Sequence, residues 1–237
     1  MDEIWGAPTL PAASAPPAGV CHLWPVPVSS RTSWISDEEW AQADRFVADH
    51  ARRTFLTSRS SQREIAARYL GIAPDAVTIE RTCHRCGGAH GRPTVGESID
   101  LSVTHTREWV VLAVVGQGRI GVDLEQRGTA RDLDTLTSTL TPAERAEFAA
   151  VPPSERTAWF LRRWTRKEAA VKLTGHGIAV RFDALDTLGP LATGEGVAPD
   201  WPAEDIHLTD VRVGGDLVVA VATTVSLDTV VICGPLP

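Results

Sequence analysis

The sequence predicts an α+β protein of two similar, pseudo-twofold-related halves, each a helix layer packed on a short antiparallel sheet. Three observations carry this. Ser36-Asp37-Glu38-Glu39 and Thr141-Pro142-Ala143-Glu144 are both capping boxes, the second with proline at the favoured first helical position. Gln62-Arg63-Glu64-Ile65-Ala66-Ala67-Arg68 falls beside Arg166-Lys167-Glu168-Ala169-Ala170-Val171-Lys172 when the chain is shifted by about one hundred residues. Ile99 to His105 with the apolar run Trp109 to Val115 matches Ile206 to Val213 with Leu217 to Ala222. Chance likeness between Ala-rich helices accounts for the second observation alone. It does not account for paired capping boxes followed by paired hairpins.

In chain order, the Ala- and Pro-rich composition of residues 6–19 predicts an extended arm, so the organisation is an arm over 1–19, a first half over 20–118 and a second half over 119–237. Cys21 to Val28 alternates apolar and other residues, and its prolines predict an edge strand. After the first capping box, a helical pattern resumes around Arg53 to Leu70 and closes at Gly71. The second long helix closes at Gly175, and Gly189 to Pro202 is a loop to the last hairpin.

Composition excludes several function classes. A hydrophobic content of 43% over 237 residues supports a sizeable core, and a net charge of -7 without a long basic run argues against nucleic-acid binding. No apolar run reaches the roughly eighteen residues of a membrane span. The acidic start Met1-Asp2-Glu3 and the prolines between Pro11 and Pro17 oppose a secretory signal, and four cysteines are too few for a disulfide scaffold. The expected setting is therefore reducing and cytoplasmic.

Two segments carry the chemistry. In Gly121-Val122-Asp123-Leu124-Glu125, Ile120, Val122 and Leu124 alternate with the other residues, the period of a half-buried strand, so Asp123 and Glu125 share a face. At about 3.3 Å rise per residue their side chains leave the backbone roughly 7 Å apart, within reach of one cation. Gly121 beside them leaves room for a ligand. In Trp164-Thr165-Arg166-Lys167-Glu168-Ala169-Ala170-Val171-Lys172, Trp164, Glu168 and Lys172 recur every four residues on one helical face. Three carboxylates with no cysteine or histidine suit a hard cation such as Mg2+, whose remaining ligands are usually water and substrate phosphates. Spacing alone equally describes a solvated strand face and an ordinary Glu168–Lys172 helix pair, worth about 0.3–0.5 kcal/mol.

GVDLE and WTRKEAAVK are similar, in order and spacing, to the signatures G-x-D-x-E and W-x-x-K-E-x-x-x-K of the 4'-phosphopantetheinyl transferases of the surfactin-synthetase-activating type. Gly91-Arg92-Pro93 and Ser102-Val103-Thr104-His105-Thr106 stand where that family has G-K/R-P and S-x-S-H-S, with threonine replacing serine at both flanks of the histidine. Arg53-Thr54-Phe55-Leu56 resembles its R-T-x-L stretch, extending the resemblance from about Arg53 to Lys172. The resemblance implies that family's fold, and transfer of the phosphopantetheine arm of coenzyme A to a serine of an apo acyl or peptidyl carrier protein, releasing adenosine 3',5'-bisphosphate. It implies Mg2+ on Asp123, Glu125 and Glu168. Coenzyme A would be held by Arg92, Thr104, His105 and Lys172, with Arg53 and Thr54 near the nucleotide. Glu168 would serve as base, Lys172 would assist the leaving phosphate, and His105 would contact the 3'-phosphate or pyrophosphate. Without the resemblance, His105 reads as a core histidine at a strand end, and Arg53-Thr54 as a solvated helix face.

Two other readings use the same residues: a magnesium-dependent nucleotide pyrophosphatase with water as acceptor, and a non-catalytic module binding coenzyme A or a carrier. The duplicated chain supplies its own internal interface, which predicts a monomer. Cys83-His84-Arg85-Cys86-Gly87-Gly88-Ala89-His90 has zinc-ligand spacing, but tetrahedral zinc would have to borrow Cys21 or His84, so a reduced turn before Gly91 is preferred.

Overall fold

In the computed structural model the described residues are 14–29, 32–83, 85–128 and 136–234. Most of the predicted arm, and His84, lie outside them. Among the described residues are four α-helices: α1 (Asp37–Ala43), α2 (Asp49–Leu70), α3 (Pro142–Ala150) and α4 (Arg156–Thr174). Both predicted capping boxes form, with Ser36 Oγ accepting from Glu39 N–H at 3.3 Å and Thr141 Oγ1 from Glu144 N–H at 3.1 Å. Each reciprocal glutamate bond back to the cap satisfies a second amide that a helix start leaves unpaired. The two long helices end at Gly71 and Gly175, both left-handed, a conformation glycine adopts without a Cβ clash. None of the described helices is long and apolar enough to cross a membrane.

The strands are β1 (Val20–Pro27), β2 (Asp100–His105), β3 (Trp109–Val115), β4 (Ile120–Gln126), β5 (Leu191–Ala192), β6 (Ile206–Val211), β7 (Leu217–Thr223) and β8 (Thr229–Ile232). They form two sheets, ordered β2-β3-β1-β8 and β4-β7-β6-β5. The layers run helix, sheet, sheet, helix. Strand alternation explains this order: on β3, Val110, Leu112 and Val114 pack with Ile65, Ala66 and Tyr69 of α2, while Val111, Ala113 and Val115 pack against Val122, Leu124, Val219 and Val221 of the other sheet. On the far side, Ala220 and Ala222 of β7 meet Ala169, Ala170 and Leu173 of α4. Each large aliphatic side chain so enclosed contributes about 1.5–3 kcal/mol over its exposed state.

Three expectations are corrected. β1 is not an edge strand, because β8 returns from the far end of the chain and pairs with it in parallel from Val20 to Leu23. Pro25 and Pro27 lie beyond that pairing and have only β3 beside them, so the prolines occupy the part of β1 that is an edge. β4 is not half-buried. Ile120, Val122 and Leu124 enter the core between the sheets, while Gly121 and Asp123 on the other face are covered as α4 lies along the strand. Gly121 does not leave room for a ligand either: a Cβ there would stand 2.0 Å from Ala169 O and 2.5 Å from Leu173 N. The missing side chain admits the helix backbone.

β4 is the edge of its sheet, and β2 is the edge of the other. Where they meet, alternate side chains of β2 satisfy β4: an Asp100 carboxylate oxygen accepts from Ile120 N–H at 2.7 Å, and Ser102 Oγ accepts from Val122 N–H at 3.1 Å. Thr104, next on the same face, reaches Asp123. This seam between sheets places the site.

Candidate active site

Asp123 lies at the seam with its side chain 8% exposed. Its Oδ1 accepts from Lys172 Nζ at 2.6 Å and from Thr104 Oγ1 at 3.1 Å, and Lys172 Nζ also donates to Thr104 Oγ1 at 2.9 Å. Three elements thus converge on one carboxylate oxygen: β4, β2 and α4. The close approach permitted by Gly121 is what brings Lys172, four residues beyond Glu168 on α4, over the strand.

The other carboxylate oxygen, Asp123 Oδ2, is buried and has no hydrogen-bond partner among the described residues. Leaving such an atom unsatisfied is costly, on the order of 1–3 kcal/mol or more for a charged group. Glu125 follows two residues on, on the same strand face and half-buried, and Glu168 is half-buried on α4. The three carboxylates do not gather within 4.8 Å of one another; Lys172 holds the positive charge beside Asp123. The donor set is all oxygen and acidic, with one buried oxygen lacking a donor, and it fits a hard divalent cation.

Two adjoining clefts open here, of about 890 Å³ and about 720 Å³, and Val103 and Lys172 wall both. The larger is lined by Thr54, Thr104, His105, Asp123, Glu125 and Lys172, and the smaller by Arg92, Glu168 and Lys172. The predicted site residues other than Arg53 are therefore brought to one region, with Glu168 in the second cleft and Lys172 shared. Arg53 stands apart, on an exposed face of α2 with Asp49 at 3.1 Å. Thr54 beside it is buried and donates its hydroxyl to His50 O at 2.9 Å.

Arg92 is committed within the fold. Its guanidinium forks onto both oxygens of Asp100, with Nη1 2.8 Å from Oδ1, and also donates to Ile120 O at 2.8 Å. It therefore braces the β2–β4 seam, while its buried Nε has no partner among the described residues. His105, at the open end of β2, is held below the ordinary histidine range, first by loss of solvent and then by the Lys172 charge, with Asp123 opposing. Trp164, on the face of α4 that carries Glu168 and Lys172, stacks between Phe160 and Phe182 and serves packing.

Sequence reasoning missed one wall of the larger cleft. Ser58, Arg59 and Gln62 of α2 line it. Thr57, Ser58, Ser60, Ser61 and Gln62 are all buried, and the hydroxyls of Ser60 and Ser61 have no partner among the described residues. A run of small polar residues where an amphipathic helix should turn an apolar stripe inward was the available signal. Lys167 was also unassigned. It is 0% exposed, with Nζ 2.6 Å from Glu144 Oε2 and bonded to the carbonyls of Thr139 and Phe182 at 2.9 and 2.7 Å.

The family model described as the 4'-phosphopantetheinyl transferase superfamily matches residues 119–222, from just before β4 to within β7. The chain is 29% identical over 194 residues to the 4'-phosphopantetheinyl transferase HetI of Nostoc sp., covering 76% of this chain and 79% of that protein. It is 33% identical over 154 residues to the 4'-phosphopantetheinyl transferase AcpT of Salmonella typhimurium, covering 63% and 74%. Against the 4'-phosphopantetheinyl transferase psf-1 of Bacillus pumilus the identity is 30% over 149 residues, covering 62% and 60%.

Proposed function

Since the chain belongs to the 4'-phosphopantetheinyl transferase superfamily, we propose that it transfers the phosphopantetheine arm of coenzyme A to a serine hydroxyl of an apo acyl or peptidyl carrier protein, releasing adenosine 3',5'-bisphosphate. The observation that carries the reading is the buried, unpartnered Oδ2 of Asp123 beside Lys172, where two clefts meet. Asp123, Glu125 and Glu168 would hold Mg2+. When bound, that ion supplies charge neutralisation on the pyrophosphate.

The chain's own residues do the rest. The serine oxygen forms a bond to the β-phosphorus as the bond to the bridging oxygen breaks, so positioning and phosphate electrostatics dominate. Glu168, directly or through water, takes the serine proton. Lys172 lies in both clefts and has a 30% exposed side chain; it turns from Asp123 to stabilise or protonate the departing phosphate. His105 meets the nucleotide phosphates from the open end of β2. Residues of α2 from one half and of β4 and α4 from the other line the larger cleft, which supports one chain as the functional unit.

The test is to incubate the protein with Mg2+, coenzyme A and several apo carriers and to weigh the carriers by mass spectrometry. A phosphopantetheine mass gain on the carrier serine is expected. Coenzyme A cleavage without carrier modification would replace this reading with the pyrophosphatase.

A further inference from the structure

The loop before Arg92 holds a second cluster of ligating side chains, of different chemistry. Among the described residues, Cys83, Cys86 and His90 are the one group of three or more His, Cys, Asp or Glu whose ligand atoms all lie within 4.8 Å of one another. Cys86 Sγ is 3.0 Å from His90 Nε2. We propose that this cluster is a zinc site, with two thiolates and one imidazole as ligands and the fourth tetrahedral position left to water. The proposal stands apart from the transferase reading.

The backbone is already wound as such a site requires. Cys83 N–H donates to Gly88 O at 2.8 Å, Gly87 N–H donates to Cys83 O at 2.8 Å, and Gly87 is left-handed at φ +71, so the chain doubles back directly after Cys86. Gly91 N–H closes the loop onto Arg81 O at 2.6 Å, and a Cβ at Gly91 would stand 2.4 Å from Thr82 O. This winding brings a C-x2-C pair and a histidine four residues on to one point. The amides of Cys86 and Arg85 face the Cys83 sulfur. Cys21 lies in the core between the sheets and cannot join the cluster.

Softness separates this site from the acidic one. Two thiolates and an imidazole select zinc, whereas carboxylates suit magnesium, so each ion has its own place in the chain. The loop's neck is the bridge between Glu80 and Thr94, closed further by the Gly91–Arg81 bond, while Cys86 and His90 are exposed. His90 is two residues from Arg92, so zinc would fix the approach to the residue that braces β2 against β4.

The experiment loads the full chain with Co2+ under reducing conditions and excess Mg2+, and measures zinc content of protein grown with zinc. One zinc per chain and a thiolate-to-cobalt charge-transfer absorption are expected, both lost in Cys86→Ser and both kept in Asp123→Asn. No zinc and no such absorption in the unaltered chain would overturn the site. So would metal that survives the Cys83→Ser, Cys86→Ser double substitution, or a Cys83–Cys86 disulfide found by alkylation and mass spectrometry. The cobalt spectrum of the unaltered chain decides even where a cysteine variant fails to fold.

Discussion

Laid over each other so that Val115 and Thr223 coincide, the two β hairpins set Trp24 of β1 where β4 has Asp123, and His22 where it has Gly121. The matching helical register sets Arg68 against Lys172. In the first half the Arg68 guanidinium lies 5.4 Å over the Trp24 ring, whose Nε1 donates to Tyr69 Oη at 2.7 Å. In the second, Lys172 sits on a buried carboxylate with an unpaired oxygen. One architecture thus closes the position with an aromatic plug in one copy and leaves a charged slot in the other. The first half packs this position without a carboxylate. At the matched positions His22 reaches α2 through Tyr69 Oη at 2.9 Å, whereas the bare Gly121 lets α4 lie on β4.

The largest effect that would sharpen this comparison is on rate. Glu168→Gln should lower carrier modification by about 10²–10⁴-fold with the fold intact, and added Mg2+ should restore it only in part. Glu64→Gln, at the matched position on α2, should leave it near normal. Near-normal transfer by the Glu168 variant would remove Glu168 from the mechanism.

A second contrast concerns stability. In both halves the glutamate of the capping box pairs with a basic residue of the long helix: Glu39 with Arg63 at 2.7 Å, their side chains 12% and 14% exposed, and Glu144 with Lys167 at 2.6 Å, 0% and 1% exposed. Lys167→Met should cost about 3–5 kcal/mol, because it strands Glu144 without solvent. Arg63→Met should cost only about 1 kcal/mol, since Arg59 stands 3.6 Å from Glu39 and water reaches the pair. Equal losses in urea denaturation would break the contrast.

Gly121→Ala should fall between these, destabilising by about 1–3 kcal/mol through overpacking against the α4 backbone. Transfer should fall more than stability alone explains, because Glu168 and Lys172 shift away from β4. An active, fully stable variant would contradict the packing role.

These differences mark what the sequence could and could not show. The capping boxes, helix ends and hairpins were legible because each is written within a few residues as a cap, a period or a turn. The acidic strand and its helix were legible as motifs. The Lys172–Asp123 contact was not, because local periodicity does not say which edges of two sheets will meet. For the same reason the bonds of Arg92 to Asp100 and Ile120 were not legible, although the residue does line the second cleft. The role of Gly121 was invisible until the helix above it was placed. The cysteine loop had the right spacing, but only its winding shows that three ligands suffice to define a point.

The smallest expected effect is in titration. His22 and His105 both sit below the ordinary range, His22 through burial alone and His105 also through Lys172. In each case the unfolded chain takes up a proton first as pH falls, so folded stability is full above the unfolded value near 6.5 and declines below it. Lys172→Met should raise the His105 midpoint by NMR and leave His22 unmoved. A shift in both would show that the charge is not local.

The return of β8 to the first sheet has a consequence for synthesis. Val20 pairs with Thr229, so the sheet begun by β1 stays one strand short until about two hundred further residues have left the ribosome. Until then β1 presents open amides and carbonyls from Val20 to Leu23, the kind of edge on which chains associate wrongly. The acidic strand, the long helix and the hairpin beside them are all made before that edge closes. In chain order the residues proposed for the site, from Thr54 to Lys172, therefore all precede the strand that closes the first sheet.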